Sequence, residues 1–362
     1  MQKPKNCPGQ NHSAATRGGN AGACPQFADG RNRTGGTATE TKHRTIGVLT
    51  SGGDAPGMNA AVRAVVRMGI KSGFHVIGIE RGYAGLLENE MRDMHLRSVS
   101  DILQRGGTVL YSARCPEFKE EWNIARAKEI CEGAGIEALV TIGGDGTFRG
   151  ALELTRRGLP CIGVPGTIDN DIAASQYTVG FDTAINTVVQ MVDRVRDTSQ
   201  SHDRCSVIEV MGRHSGHIAL YAGIACGALA ILVPEIPFNL ERDVITKMVA
   251  TLRTGKQHFI VMLAEGVGSA VDIAEKIESL TGIETQPVVL GHVQRGGSPT
   301  ALERVVASAM GHHAVELIAE GKSGRVVVQR DGRVTDLLIE EALSMSKTID
   351  MDLYRIAGDI SI

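Results

Sequence analysis

The sequence predicts a two-lobed α/β protein with mostly parallel sheets, and three observations carry that prediction. The length of 362 residues suits about two domains of ordinary size. From Thr45 onward, short β-branched runs alternate with helical stretches. Glycine-rich polar loops follow several of those runs, as expected where ligands bind beyond the carboxyl ends of strands. The expected strands are Ile46–Thr50, Val76–Glu80, Ala138–Ile142, Cys161–Val164, Cys205–Met211, Ala230–Val233, Phe259–Glu265 and Val288–Val293. The expected helices include Met58–Lys71, Asn123–Gly133, Thr183–Asp197, Ser215–Gly227 and Glu241–Thr254. In Thr183–Asp197 the residues Ala184, Val188, Val192 and Val195 recur every three or four positions and form one buried stripe.

Composition narrows the function. A net charge of -3 and a pI near 6.4 provide no basic field for nucleic acid or an anionic membrane, so a phosphate ligand needs a local site. The apolar run Ile218–Val233 is interrupted by Gly223 and Gly227 and is shorter than the ~20 residues of a spanning helix; it reads as a buried helix entering a buried strand. Seven cysteines without a CxxC pair or zinc spacing suit a reducing cytoplasm. Residues 1–44 are rich in Gly, Asn, Thr and Ala with almost no large apolar side chains, which predicts a disordered extension. No 20- to 50-residue repeat is present.

Three loops carry the chemistry. In SGGDAPGMNAAVR, from Ser51, two glycines let the backbone approach a ligand and a helix starts near Met58; the segment suits a phosphate or is simply a tight strand-to-helix turn. GGDGT, from Gly143 to Thr147, adds a carboxylate to glycines. Asp145 there is a hard oxygen ligand of the kind a Mg2+-nucleotide requires, or else a helix cap. PGTIDND places Asp169 and Asp171 on the same side of an extended segment beside Thr167, so that one can take a proton while the other fixes the loop or metal, or else the segment is an ordinary acidic surface loop. Downstream, Arg204, Arg213, His292 and Arg295 are cations of the kind a phosphorylated sugar calls for, or, each taken alone, surface ion-pair residues.

The segments SGGDAPGMNAAVR, GGTVLYSARCPEF, GGDGTFRGA, PGTIDND, SHDRCSVIEVMGRHSGH and GHVQRGGSP occur in the order seen in 6-phosphofructokinases, and the chain resembles that family over roughly residues 45–343. The resemblance implies two Rossmann-like three-layer lobes with the active site in the cleft between them. Residues 45–179 plus about 294–343 would form the ATP-binding lobe, and 180–293 plus about 344–362 the fructose 6-phosphate-binding lobe. It implies a cytoplasmic homotetramer that shares active sites between subunits and uses Mg2+ with ATP as phosphoryl donor. Carried over by motif, Gly53, Arg114, Cys115, Gly144, Asp145, Gly146 and Thr147 would bind the nucleotide, with Asp145 on the metal. Asp169 would be the base, Thr167, Asp171 and Arg213 would complete the catalytic set, and Arg204, Met211, Gly212, Arg213, Glu265, His292 and Arg295 would contact the sugar phosphate, Arg204 from a neighbouring subunit.

Two glycines bear on the donor. Pyrophosphate-dependent relatives typically carry Asp and Lys where this chain has Gly146 and Gly166, so ATP is expected here. The chain also departs from well-studied bacterial members: Gln286 replaces an arginine that reaches a neighbour's substrate phosphate. At the expected effector site Arg63, Arg67, Arg196 and Lys256 are retained, while Leu96, Leu229 and Thr254 replace charged groups, which argues against the usual activation by a nucleoside diphosphate. The competing readings are a pyrophosphate-dependent enzyme and a non-catalytic regulatory paralogue.

Overall fold

A computed structural model describes residues 44–361; the disorder expected for residues 1–44 falls almost wholly outside them. The chain opens with β1 (Thr45–Ser51), α1 (Met58–Lys71), β2 (His75–Ile79), α2 (Gly82–Leu87) and β3 (Met91–Met94). It continues through α3 (Glu121–Gly133), β4 (Ile136–Gly143), α4 (Asp145–Arg156) and β5 (Cys161–Pro165) to the long α5 (Phe181–Ser201). Next come β6 (Cys205–Val210), α6 (His217–Ala225), β7 (Ala230–Leu232), α7 (Thr246–Leu252), β8 (Phe259–Ala264), α8 (Ala270–Thr281) and β9 (Thr285–Val289). The last elements are α9 (Ala301–Ala319), β10 (Arg325–Arg330), β11 (Arg333–Leu338), α10 (Ile339–Ser344) and α11 (Met351–Asp359).

The strands form a seven-stranded sheet of order β11-β10-β5-β4-β1-β2-β3 and a four-stranded sheet of order β7-β8-β6-β9. All pairings are parallel except β2 with β3 and β10 with β11, at the two edges of the larger sheet. The central strands read as near-continuous apolar runs because helices cover both faces; Ile46, Val48 and Leu49 of β1 and Leu139, Val140 and Ile142 of β4 are fully buried. The run Ile218–Val233 resolves into buried α6 and β7, as its glycines predict.

Two expectations shift. The strand expected at Val288–Val293 lies earlier, at Thr285–Val289, and Gly291–Arg295 forms a short 3-10 helix. Gly291 takes a left-handed φ of 54°, which ends the extended run. The segment Glu241–Thr254 is a π-turn followed by α7.

Helices α5 and α9 start side by side and cap each other. Thr300 and Glu303 have the spacing of a capping box, and the Glu303 N–H does donate to the Thr300 hydroxyl at 3.1 Å. The Glu303 carboxylate does not turn back on its own helix, however. It accepts from the Gly180 N–H at 2.7 Å and from the Thr183 N–H and hydroxyl, each at 3.1 Å, at the start of α5. Thr300 answers by donating its N–H to the Thr183 hydroxyl at 3.3 Å and its own hydroxyl to Asp182. Glu303 is fully buried, and burial pushes its carboxyl up to about 7 against the lowering effect of these donors. The same economy recurs where Glu235 accepts from the Gly216 N–H before α6 and Glu209 from the Ala270 N–H of α8.

Candidate active site

Every loop singled out in the sequence leaves the carboxyl end of a strand: Gly52 and Gly53 after β1, Gly144–Thr147 after β4, Gly166–Asp171 after β5 and Met211–Arg213 after β6. Four of these converge, together with Arg114–Pro116 and Arg295, on one cleft of about 800 Å³, a size suited to a nucleotide and a small second substrate. Its wall includes Gly53, Arg114, Cys115, Gly144, Asp145, Gly146, Thr147, Thr167, Asp169, Asp171, Arg213 and Arg295. Arg204, Met211, Gly212, Glu265 and His292 are not in that wall. Arg204 pairs with Glu284 at 2.7 Å, and His292 is exposed on the 3-10 helix. Glu265 holds the turn carrying Arg213, its Oε1 accepting from the Gly212 and Arg213 N–H groups at 3.1 and 2.6 Å. Gln294, which no sequence signal marks, fixes the same turn by accepting from the Met211 N–H at 3.1 Å.

Asp145 is the first residue of α4, whose N-cap is Gly144, and it makes no capping hydrogen bond. Among the described residues its carboxylate has no hydrogen-bond partner, so the cap reading falls. Burial in the pocket wall raises its pKa first, then the neighbouring Asp171, while Arg149 and Arg213 oppose the rise. Thr147 is committed elsewhere: its hydroxyl donates to the Ser51 carbonyl at 3.1 Å, tying the start of α4 to the end of β1. The far end of the cleft has an aromatic floor that the motifs did not reveal. Tyr83 and Phe118 stack with centroids 4.0 Å apart, and the Tyr83 hydroxyl donates to the Thr147 carbonyl at 2.7 Å.

Asp169 is 3% exposed, and its Oδ1 is buried with no hydrogen-bond partner. Burial, followed by repulsion from Asp171, pushes its pKa up to about 6 against the pull of Arg295 and Arg213. Its backbone is pinned on both sides: the Asp169 N–H donates to Thr167 Oγ1 at 3.2 Å, and its carbonyl accepts from the Ser215 hydroxyl at 2.9 Å. Two non-glycine residues beside it adopt left-handed conformations, Asn170 at φ 49° and Arg213 at φ 56°. Such strain persists only where surrounding contacts over-determine it.

The donor glycines differ in setting. A Cβ on Gly146 would meet nothing within 4 Å, so this glycine leaves open space in the cleft wall. A Cβ on Gly166 would press on Met58 at 3.0 Å and Ile142 at 3.1 Å. Gly166 also lines the cleft, so its missing side chain serves both the open wall and close packing beneath the loop.

Residues 45–318 match the family model described as Phosphofructokinase. This chain belongs to the phosphofructokinase family. It is 54% identical over 319 residues to an ATP-dependent 6-phosphofructokinase of Bacillus cytotoxicus, covering 88% of this chain and 100% of that one. A Clostridium botulinum protein of the same name is 53% identical over 318 residues, covering 88% and 99%. Among solved structures, phosphofructokinase from Saccharomyces cerevisiae matches 88% of this chain with a TM-score of 0.79 and 32% identity, and this chain spans about half, 48%, of the yeast chain. A pyrophosphate-dependent phosphofructokinase from Marinobacter aquaeolei shares the fold at TM-score 0.77 and 22% identity, covering 88% and 91% of the two chains. The chain is an enzyme of the phosphofructokinase family, with the two-lobed, Rossmann-like α/β architecture that its two sheets display. No helix among the described residues is long and apolar enough to cross a membrane.

Proposed function

We propose that this enzyme transfers the γ-phosphoryl group of ATP to the 1-hydroxyl of fructose 6-phosphate, giving ADP and fructose 1,6-bisphosphate, with Asp169 as general base. The observation that carries the mechanism is the buried, unpartnered carboxylate of Asp169 facing the cleft that the glycine loops line. The near-full-length relatives named ATP-dependent 6-phosphofructokinase support the substrates. A base with a pKa of about 6 is mostly ionised at neutral pH yet basic enough to accept the proton of the attacking hydroxyl. Phosphoryl transfer otherwise needs positioning and neutralisation of charge. Arg213 and Arg295 supply cations on the side of Asp169, and Arg114 and Arg149 on the nucleotide side.

The unpartnered Asp145 carboxylate between glycines fits Mg2+, which keeps water and phosphate oxygens as its remaining ligands and so needs no dedicated protein cage. Bound there, the ion would neutralise charge on the transferred group. In this reading the lobe built from 45–179 and about 294–343 holds the nucleotide, while 180–293 and about 344–362 hold the sugar. Arg204, outside the cleft wall, would then act across a contact between subunits of a homotetramer.

A coupled assay offering ATP or pyrophosphate with fructose 6-phosphate tests the reading; turnover with pyrophosphate alone overturns the choice of donor. Gly146→Asp places a carboxylate in the open space beside the donor phosphates. Its kcat/KM for ATP is expected to fall at least about tenfold through like-charge repulsion, with little change in KM for the sugar. Gly53 gives a second test. The Arg295 guanidinium lies so close over it that an added Cβ would collide, and Arg295 donates to the Asp54 carbonyl at 3.1 Å. Gly53→Ala is expected to displace Arg295 and raise KM for fructose 6-phosphate by about tenfold, the scale of one charge-assisted contact.

A further inference from the structure

We infer that Lys347, in the irregular segment between α10 and α11, is a positioning residue for the loop that carries Asp169. The family match ends at residue 318 and no motif includes Lys347, yet its side chain reaches back to the strained loop. Its Nζ donates to Asn170 Oδ1 at 3.1 Å, to the Ser175 carbonyl at 2.7 Å and to the Ile172 carbonyl at 3.5 Å. One ammonium thus uses its three donors on three acceptors of a single loop. Asn170 is the left-handed residue between Asp169 and Asp171, so the contact that holds its side chain also holds the turn that aims both carboxylates.

The surroundings show that the ammonium is kept there at a cost. Burial pushes its pKa down to about 8 even though Asp171 attracts it. His217 of α6 is the other titratable group beside it, and burial together with Lys347 lowers that imidazole to about 4, so it stays neutral. The neighbouring Ile349 is 2% exposed and anchors the segment in the core. Across the loop, the β10–β11 hairpin makes a second clamp: the Gln329 N–H donates to the Ser175 hydroxyl, the Gln176 N–H to the Gln329 carbonyl, and Arg330 Nε to the Ala174 carbonyl. That clamp stops at residue 174. Lys347 carries the restraint from the chain's last segment to Asn170, next to the base, where the Asn170 amide also donates to the Gln176 carbonyl at 3.3 Å and accepts from the Thr178 hydroxyl at 3.5 Å.

The inference rests on Asp169 acting as base, and the experiment separates the two claims. Lys347→Met is compared with wild type by steady-state kinetics and by hydrogen–deuterium exchange resolved to peptides. The expected result is a kcat lowered about 10- to 100-fold, the penalty for a slightly misplaced catalytic group. KM for ATP and fructose 6-phosphate should stay within threefold, exchange should quicken in residues 168–177 and not in the two sheets, and Lys347→Arg should recover at least a third of kcat. Unchanged kcat with unchanged exchange at 168–177, or exchange quickened evenly over the chain, overturns it. If Lys347→Met does not fold, Lys347→Gln takes its place under the same criteria. If wild type forms no fructose 1,6-bisphosphate, the activity reading fails; exchange confined to 168–177 then still supports positioning, and its absence overturns it.

Discussion

Asp169→Asn is expected to lower kcat by about 10² to 10⁴, the usual contribution of a positioned general base, with KM for ATP nearly unchanged. In the wild-type enzyme the acid limb of kcat/KM should inflect near pH 6, where the buried carboxyl takes up its proton. The same substitution is expected to stabilise the fold at neutral pH. Burial raises Asp169 from its ordinary 3.8 to about 6, so the native state keeps this proton longer than the unfolded state does. The stability it contributes is present below pH 3.8 and is lost as pH rises through 6. A rise of this size corresponds to about 3 kcal/mol above pH 6. Asn at 169 carries no charge to bury, so Tm of the variant should exceed that of wild type at pH 7.5 and converge on it toward pH 4. A variant that is inactive but no more stable at pH 7.5 would mean that Asp169 is not strained in the resting protein.

The second large effect is on stability. Glu303→Ala removes the acceptor for the Gly180 N–H and for the N–H and hydroxyl of Thr183, leaves these groups buried beside a cavity, and breaks the reciprocal cap of α5 and α9. Unsatisfied buried donors cost about 1–3 kcal/mol each when no water replaces the lost partner. A loss of about 3 kcal/mol or more is therefore expected, seen as a Tm lower by at least about 5 °C in a protein of this size. Thr183→Ala removes one of the same contacts, so the double variant should lose less than the sum of the two single ones. A Glu303→Ala protein within 2 °C of wild type would show that the shared cap is not an important source of stability. Activity should fall much less than in Asp169→Asn, because Glu303 does not line the cleft.

Much of this architecture was legible in the sequence because parallel strands buried on both faces have to be β-branched runs. Ile46–Thr50, Ala138–Ile142 and Phe259–Glu265 were therefore found within a residue or two of β1, β4 and β8. The sheet edges follow other rules. The β10–β11 hairpin was missed although its Asp331-Gly332 turn carries the left-handed φ angles of 50° and 73° expected of a type I′ turn. At the site, glycines and carboxylates announced the cleft, because a ligand that approaches the backbone leaves few other choices of residue. Tyr83 and Phe118 gave no such signal, since stacked aromatics read as ordinary core. Gln294 was similarly opaque, and Glu265, named through the family motif, gave no sign of its bonds to the turn: both satisfy backbone N–H groups about 50 to 80 residues earlier in the chain, and nothing local in the sequence records such a partner. Gly166 answers two demands at once, lining the cleft and packing closely on Met58 and Ile142.

The mutual cap of α5 and α9 sets a timetable for folding. The donors at Gly180 and Thr183 find their acceptor 123 and 120 residues later in the chain. During synthesis, α5 leaves the ribosome with a bare amino end, and it stays so until α9 has followed. Closing a loop of that length has an entropic cost that only the assembled sheets can offset. The amino end of the helix spanning residues 181–201 should therefore be a late-setting joint, among the last parts of the long helices to gain protection.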